Sequence, residues 1–175
     1  MRCVLVASCL SAAVTLLTTG AVAAQQTPTD PPSQASAVSR VLILTNAERN
    51  KAGLPPLVLS RDLQIAAQSY ADVLASSGCF EHTCGPVPNL ADRDALAGYA
   101  GWWSIGENLA GGYDTPESVM AGWMASPGHR ANILSVTFTE IGVGLSNGSG
   151  QFHVYWDEEF GTRSSDATAD EDTTN

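Results

Sequence analysis

The sequence predicts an α+β domain, on three observations. Apolar residues recur at helical spacing in the first part of the chain and again after Thr115. Strict alternation is confined to the C-terminal end of the domain. A Gly/Asn/Ser turn joins two alternating segments into a hairpin. Helices and antiparallel strands that segregate along a chain indicate α+β architecture, whereas a doubly wound fold alternates them.

The first helix spans Val38 to Asn50, with Val38, Val41, Leu42, Thr45 and Arg49 at helical spacing. Gly53 stops it, and Pro55-Pro56 forbid its continuation. Ser60 caps a second helix, and Asp62 is favourable in its first turn. Leu63, Ala66, Ala67, Tyr70, Ala71 and Leu74 form its apolar stripe, and Gly78 ends it. Thr115, Pro116 and Glu117 start a third helix as cap, first residue and dipole partner. Val119, Met120 and Trp123 supply its buried face, and Ser126-Pro127-Gly128 ends it. Glu140 to Leu145 then alternates as a strand. Ser146 to Gly150 is the turn. Gln151 to Asp157 alternates again, with Phe152, Val154 and Trp156 on one side.

The ends lie outside this domain. Met1-Arg2, the apolar stretch from Val4 to about Leu17 and Ala21-Val22-Ala23-Ala24 read as a signal peptide over residues 1–24. Residues 25–37 read as a flexible leader, residues 38–161 as the domain, and residues 162–175 as an acidic disordered tail. The expected protein is secreted, with no membrane span once the signal is removed. The 175 residues carry 8 Lys and Arg against 18 Asp and Glu, a formal net charge of −10. That balance excludes a nucleic-acid partner, since phosphate binding needs a basic footprint. With 44% hydrophobic residues the chain is not an acidic disordered polymer.

Two groups of residues can carry chemistry. Cys79 and Cys84 flank His82, and in a secreted chain they are expected to form a disulfide that holds the histidine in place. The alternative is a nucleophilic thiolate with His82 as its base. The second group is His82, Glu107 and His129, which no local motif joins. Glu107 interrupts an apolar run from Trp102 to Ala110, so its carboxylate is expected to be buried or in a cleft and to need a partner. His129 follows Pro127-Gly128 at the expected helix end, where a protonated imidazole is favoured. Two imidazoles and a carboxylate can hold zinc or another divalent cation with an open position. The same residues can instead be core polar groups that fix loops. Tyr99, Trp102 and Trp103 either rim an apolar groove or pack in the core.

Several motifs carry a resemblance. Leu44-Thr45-Asn46-Ala47-Glu48-Arg49 with Gly53-Leu54-Pro55-Pro56-Leu57 is similar to the opening of the CAP superfamily (cysteine-rich secretory protein, antigen 5, pathogenesis-related), whose domain is also called SCP. So are Phe80-Glu81-His82-Thr83, Gly106-Glu107-Asn108-Leu109-Ala110 and the stretch from Trp123 to Leu134, which runs into Phe138 to Gly144. Tyr155-Trp156 with Phe160-Gly161 resembles the final strand of bacterial members. The resemblance implies an α-β-α sandwich with a small antiparallel sheet between helices. It also implies a cleft with two His and two acidic residues, often able to hold a divalent metal. His82, Glu107 and His129 match three of these positions. The fourth, three residues after the Trp of the third helix, is Ser126 here. Glu140 is a further carboxylate that could approach. Two functions follow as expectations. One is a secreted module whose cleft binds a small ligand, a lipid or an extracellular partner, with a metal modulating it. The other is a metal-dependent hydrolase of peptide or ester bonds, with Glu107 as general base or third ligand.

Overall fold

The computed structural model describes residues 33–163. The signal sequence, most of the leader and residues 164–175 of the tail lie outside the described residues. Helix α1 spans Gln34–Lys51, capped by Ser33, whose hydroxyl accepts from the Ser36 amide. It begins inside the expected leader, four residues before Val38, because Ser33 rather than a later residue supplies the cap. Strand β1 is the short Val58–Leu59, and α2 spans Arg61–Ser77 between Ser60 and the left-handed Gly78. The stripe expected on α2 is buried as expected, from Leu63 to Leu74.

Two short helices depart from the expectation. Helix α3, Leu90–Leu96, is capped by the Asn89 side chain, which accepts from the Asp92 amide at 3.1 Å. Strand β2, Trp102–Gly111, follows, and then α4, Pro116–Ala125, with a complete capping box between Thr115 and Ser118. Ser126-Pro127-Gly128 does end α4, but it also starts α5, Pro127–Ile133. Proline suits the first position of a helix, so one residue both stops α4 and opens α5. Strands β3, Glu140–Asn147, and β4, Val154–Arg163, form the hairpin. Strand β4 runs two residues into the expected tail, because Thr162 and Arg163 continue its pairing with β2.

The sheet order is β1-β3-β4-β2. Strands β2, β3 and β4 pair antiparallel, but β1 pairs parallel to β3, so the sheet is mixed rather than purely antiparallel. The edge strand enters directly from the α1–α2 connection, which sets its direction. Helices α1, α4 and α5 cover one face, and α2 and α3 cover the other, giving the α-β-α sandwich. The first face is an apolar core of Val41, Val119, Met120, Trp123, Ile133, Ile141, Val143, Trp156 and Phe160. Each of the larger side chains contributes roughly 1.5–3 kcal/mol by leaving water. The second face is different. Here α2 lies directly on β3, so close that a Cβ on Gly142 or Gly144 would stand 2.1 Å from helix backbone. Among the described residues no helix is long and apolar enough to cross a membrane.

Candidate functional site

Glu107 sits in the middle of β2 with its side chain almost completely buried. The expected partner exists, and there are two. His82 Nδ1 lies 2.5 Å from Glu107 Oε2, and Arg93 Nη2 donates to Oε1. Arg93 comes from α3 and is itself buried. Its Nη1 donates to the carbonyls of His82 and Pro88, each at 3.1 Å, and its guanidinium lies 3.5 Å over the Tyr70 ring. Tyr70 in turn donates to the Glu81 carbonyl at 2.7 Å. The loop bearing His82 is thus clasped to the sheet from both sides. The Cys79–Cys84 disulfide closes the same loop. That bond removes the thiolate alternative, because neither sulfur is free to attack.

His82 is exposed at the surface while its partner is buried. The Glu107 hydrogen bond raises its pKa above the ordinary imidazole range, with burial opposing. His129 lies in the first turn of α5, not at a helix C-terminus. A helix N-terminus disfavours a cation there, reversing the expected electrostatics. Burial and the neighbouring His82 charge also lower the His129 pKa. One histidine is therefore biased toward the imidazolium and the other toward the neutral ring. Asn108 and Asn132 fix α5 against β2. Asn108 Nδ2 donates to the His129 carbonyl at 3.1 Å, and Asn132 Nδ2 donates to the Glu107 carbonyl at 3.1 Å.

The donor atoms of His82, Glu107 and His129 do not converge on one point. Among the described residues, the three-ligand group whose atoms lie within 4.8 Å of one another is Glu107, Asp157 and Glu159. His82, Glu107 and His129 do not form such a group in this arrangement. Ser126 is the N-cap of α5 and brings no carboxylate. Glu140 is engaged elsewhere, accepting from the Tyr99 hydroxyl at 2.7 Å and from Arg163 at 2.8 Å. Glu117 is exposed and paired with Arg40 at 2.8 Å, in keeping with its place in a first helical turn. The aromatic trio divides: Tyr99 is buried, Trp102 half-buried and Trp103 63% exposed.

Arg93 and a buried acidic run, Asp157-Glu158-Glu159, escape the sequence reading. Alternation on β4 sends Glu158 to one face and its two neighbours to the other. Glu158 accepts from Thr45 at 2.6 Å and from Asn108 at 3.1 Å. Beside Arg93 and Tyr70, a groove of about 240 Å³ opens between α2 and α3, lined by Ile65, Val73, Val87 and Leu96.

Comparison with known proteins agrees with this fold. The profile of CAP, the cysteine-rich secretory protein family, matches residues 42–159. The chain is 38% identical over 136 residues to the uncharacterized protein YkwD of Bacillus subtilis, covering 77% of this chain and 51% of that one. It is 30% identical over 112 residues to the uncharacterized membrane protein YlbC of the same organism, covering 64% of this chain and 32% of the other. The chain thus spans about half the length of the first and about a third of the second. Among solved structures, an extracellular SCP-domain protein from Bacillus anthracis matches with TM-score 0.68 at 25% identity, over 75% of this chain and 41% of that chain. An outer surface protein from Borrelia burgdorferi matches with TM-score 0.69 at 20% identity, over 76% of this chain and 97% of that chain.

Proposed function

The chain belongs to the CAP family of cysteine-rich secretory proteins, and on that premise we propose that the His82–Glu107 clasp forms an extracellular ligand-binding site rather than a hydrolytic centre. The observation that carries this reading is the full engagement of Glu107. One oxygen takes Arg93 and the other takes His82, so the carboxylate is a scaffold and not a free base. A general base must reach the proton that it abstracts, and this one is turned inward. What the clasp offers outward is an imidazolium held by a buried carboxylate. Such a group binds an anionic or hydrogen-bond-accepting head. The neighbouring groove shares Arg93 and is apolar, which favours a ligand with a polar head and an apolar body. The match to an extracellular SCP-domain protein supports secretion as the setting.

The hydrolase reading keeps one specific support. A neutral His129 near a protonated His82 is the pairing that acid–base chemistry uses. A single experiment separates the two. Imidazole and guanidinium resonances are followed by NMR while a medium-chain fatty acid, and then the alcohol of equal length, is added. Binding predicts perturbation of His82 and Arg93 by the acid, weak response to the alcohol, and loss of that preference in His82→Ala. Turnover of ester or peptide substrates that disappears in His129→Ala would overturn the binding reading.

A further inference from the structure

Beneath the clasp lie carboxylates that it does not use. Asp157 and Glu159 alternate on β4 toward the α2–α3 layer, and Glu107 stands directly opposite Glu159 on β2. Oxygens of Glu107, Asp157 and Glu159 all fall within 4.8 Å of one another. Asp157 and Glu159 are 0% exposed, and none of their four oxygens has a hydrogen-bond partner. Asp94 adds an independent observation. It comes from α3, is 0% exposed, receives no N–H or O–H donor, and lies against the Glu159 carboxyl, so only a shared proton or a cation can join the two. Four buried carboxylates from three elements thus gather in one place. Arg93 is the base beside them, 3.9 Å from Glu159, but it is already committed to Glu107.

Buried carboxylates without partners require either bound protons or a cation. We propose that Asp94, Glu107, Asp157 and Glu159 form a buried divalent-cation site, and that calcium is the ion it takes. The donor set is all oxygen and anionic, which suits a hard cation and disfavours zinc. The Glu107, Asp157 and Glu159 donors, within 4.8 Å of one another, match a central ion at ~2.4 Å from each, the calcium–oxygen distance. Asp157 and Glu159 have free second oxygens and Asp94 lies against Glu159, so the cluster can approach the ~6–8 oxygens that calcium takes. Magnesium keeps several waters and a tighter octahedron, and Asp94, Asp157 and Glu159 are completely buried. The ion would tie α3 to β2 and β4 directly under the clasp. It shares Glu107 with the clasp but takes neither histidine as a ligand, and the inference rests on the unpartnered acids rather than on the ligand-binding reading.

The test uses the full chain, stripped with a chelator and titrated with calcium chloride alone, followed by calorimetry and thermal unfolding. A saturable heat and a rise in Tm are expected. Asp157→Asn and Glu159→Gln should each weaken binding by at least about tenfold. These variants remove a buried charge and keep the side-chain shape, so they are expected to fold. His129→Ala should leave calcium affinity unchanged. Absence of both heat and Tm shift in the folded chain would overturn the site. So would an equal calcium response in the Asp157→Asn/Glu159→Gln double variant, or a response to zinc alone that vanishes in His129→Ala. Tighter binding of magnesium than of calcium would overturn the choice of ion.

Discussion

Arg93 donates from one nitrogen to Glu107 and from another to the carbonyls of His82 and Pro88, while its face rests on Tyr70. Truncating it leaves a buried carboxylate held by His82 alone. Arg93→Ala is expected to destabilise the protein by roughly 3–5 kcal/mol, read by urea unfolding. Arg93→Lys should recover only part, because an ammonium cannot reach the carboxylate and both carbonyls in one plane. Glu107→Gln tests the other half of the clasp. It removes the interaction that raises the His82 pKa, so the His82 titration followed by NMR should move down. The sign for stability follows. With a raised folded pKa, the pair stabilises the native state below the unfolded value of ~6.5, and that contribution is lost as pH rises through the folded pKa. An unchanged His82 titration in Glu107→Gln would remove the carboxylate as the cause.

The elements that sequence made legible are those with a long period and a clear stop. Helix α2 was readable from Ser60 to Gly78 because a seventeen-residue helix repeats its apolar stripe over several turns. Helices α3 and α5 have seven residues each, too short for a period to emerge. The stretch from Asn89 to Leu96 holds three charges, and two of them, Arg93 and Asp94, are buried. For the same reason the clasp was half legible. An acid in an apolar run announces a buried partner, but nothing local says that the partner is Arg93. The sequence sets His129 at the end of α4, whereas it stands in the first turn of α5, because Pro127 both stops one helix and opens the next. Element contacts also predict a contrast between two glycines. Gly144→Ala would put a Cβ 2.1 Å from the Ala67 carbonyl oxygen, forcing α2 off the sheet, with a loss of at least about 1–3 kcal/mol. Gly128→Ala meets nothing within 4 Å in the first turn of α5, and should gain about 0.4–1 kcal/mol by restricting the unfolded chain. Equal Tm values for the two variants would show that α2 does not depend on this close approach.

At the scale of the whole molecule, an acidic chain has placed part of its negative charge inside rather than on the surface. Glu158 is completely buried on the apolar face, held by Thr45 and Asn108, and burial pushes its pKa up to about 7 against those two hydrogen bonds. Asp94, on the opposite face, is raised to about 6, again mainly by burial. In the unfolded chain such groups lose their protons near ~4. Between that value and the folded pKa the native state binds more protons than the unfolded one. Stability therefore falls as pH rises through this window and is flat above it. His129 acts in the opposite sense, costing stability as pH falls below ~6.5, because its folded pKa is depressed. The buried acids outnumber it and are less solvated, so the chelator-stripped protein should be more stable near about pH 5 than near about pH 8. Glu158→Gln isolates one contribution. The amide keeps the shape and can still pair with Thr45, whose hydroxyl can turn to accept. Urea unfolding in chelator, run across pH for both proteins, should show the variant gaining on the wild type as pH rises. The gain should reach on the order of 3 kcal/mol by neutral pH and then level off. Parallel curves for the two proteins would mean that Glu158 is ionised in the native state throughout, and the source of the pH dependence would then have to be the carboxylates beneath the clasp.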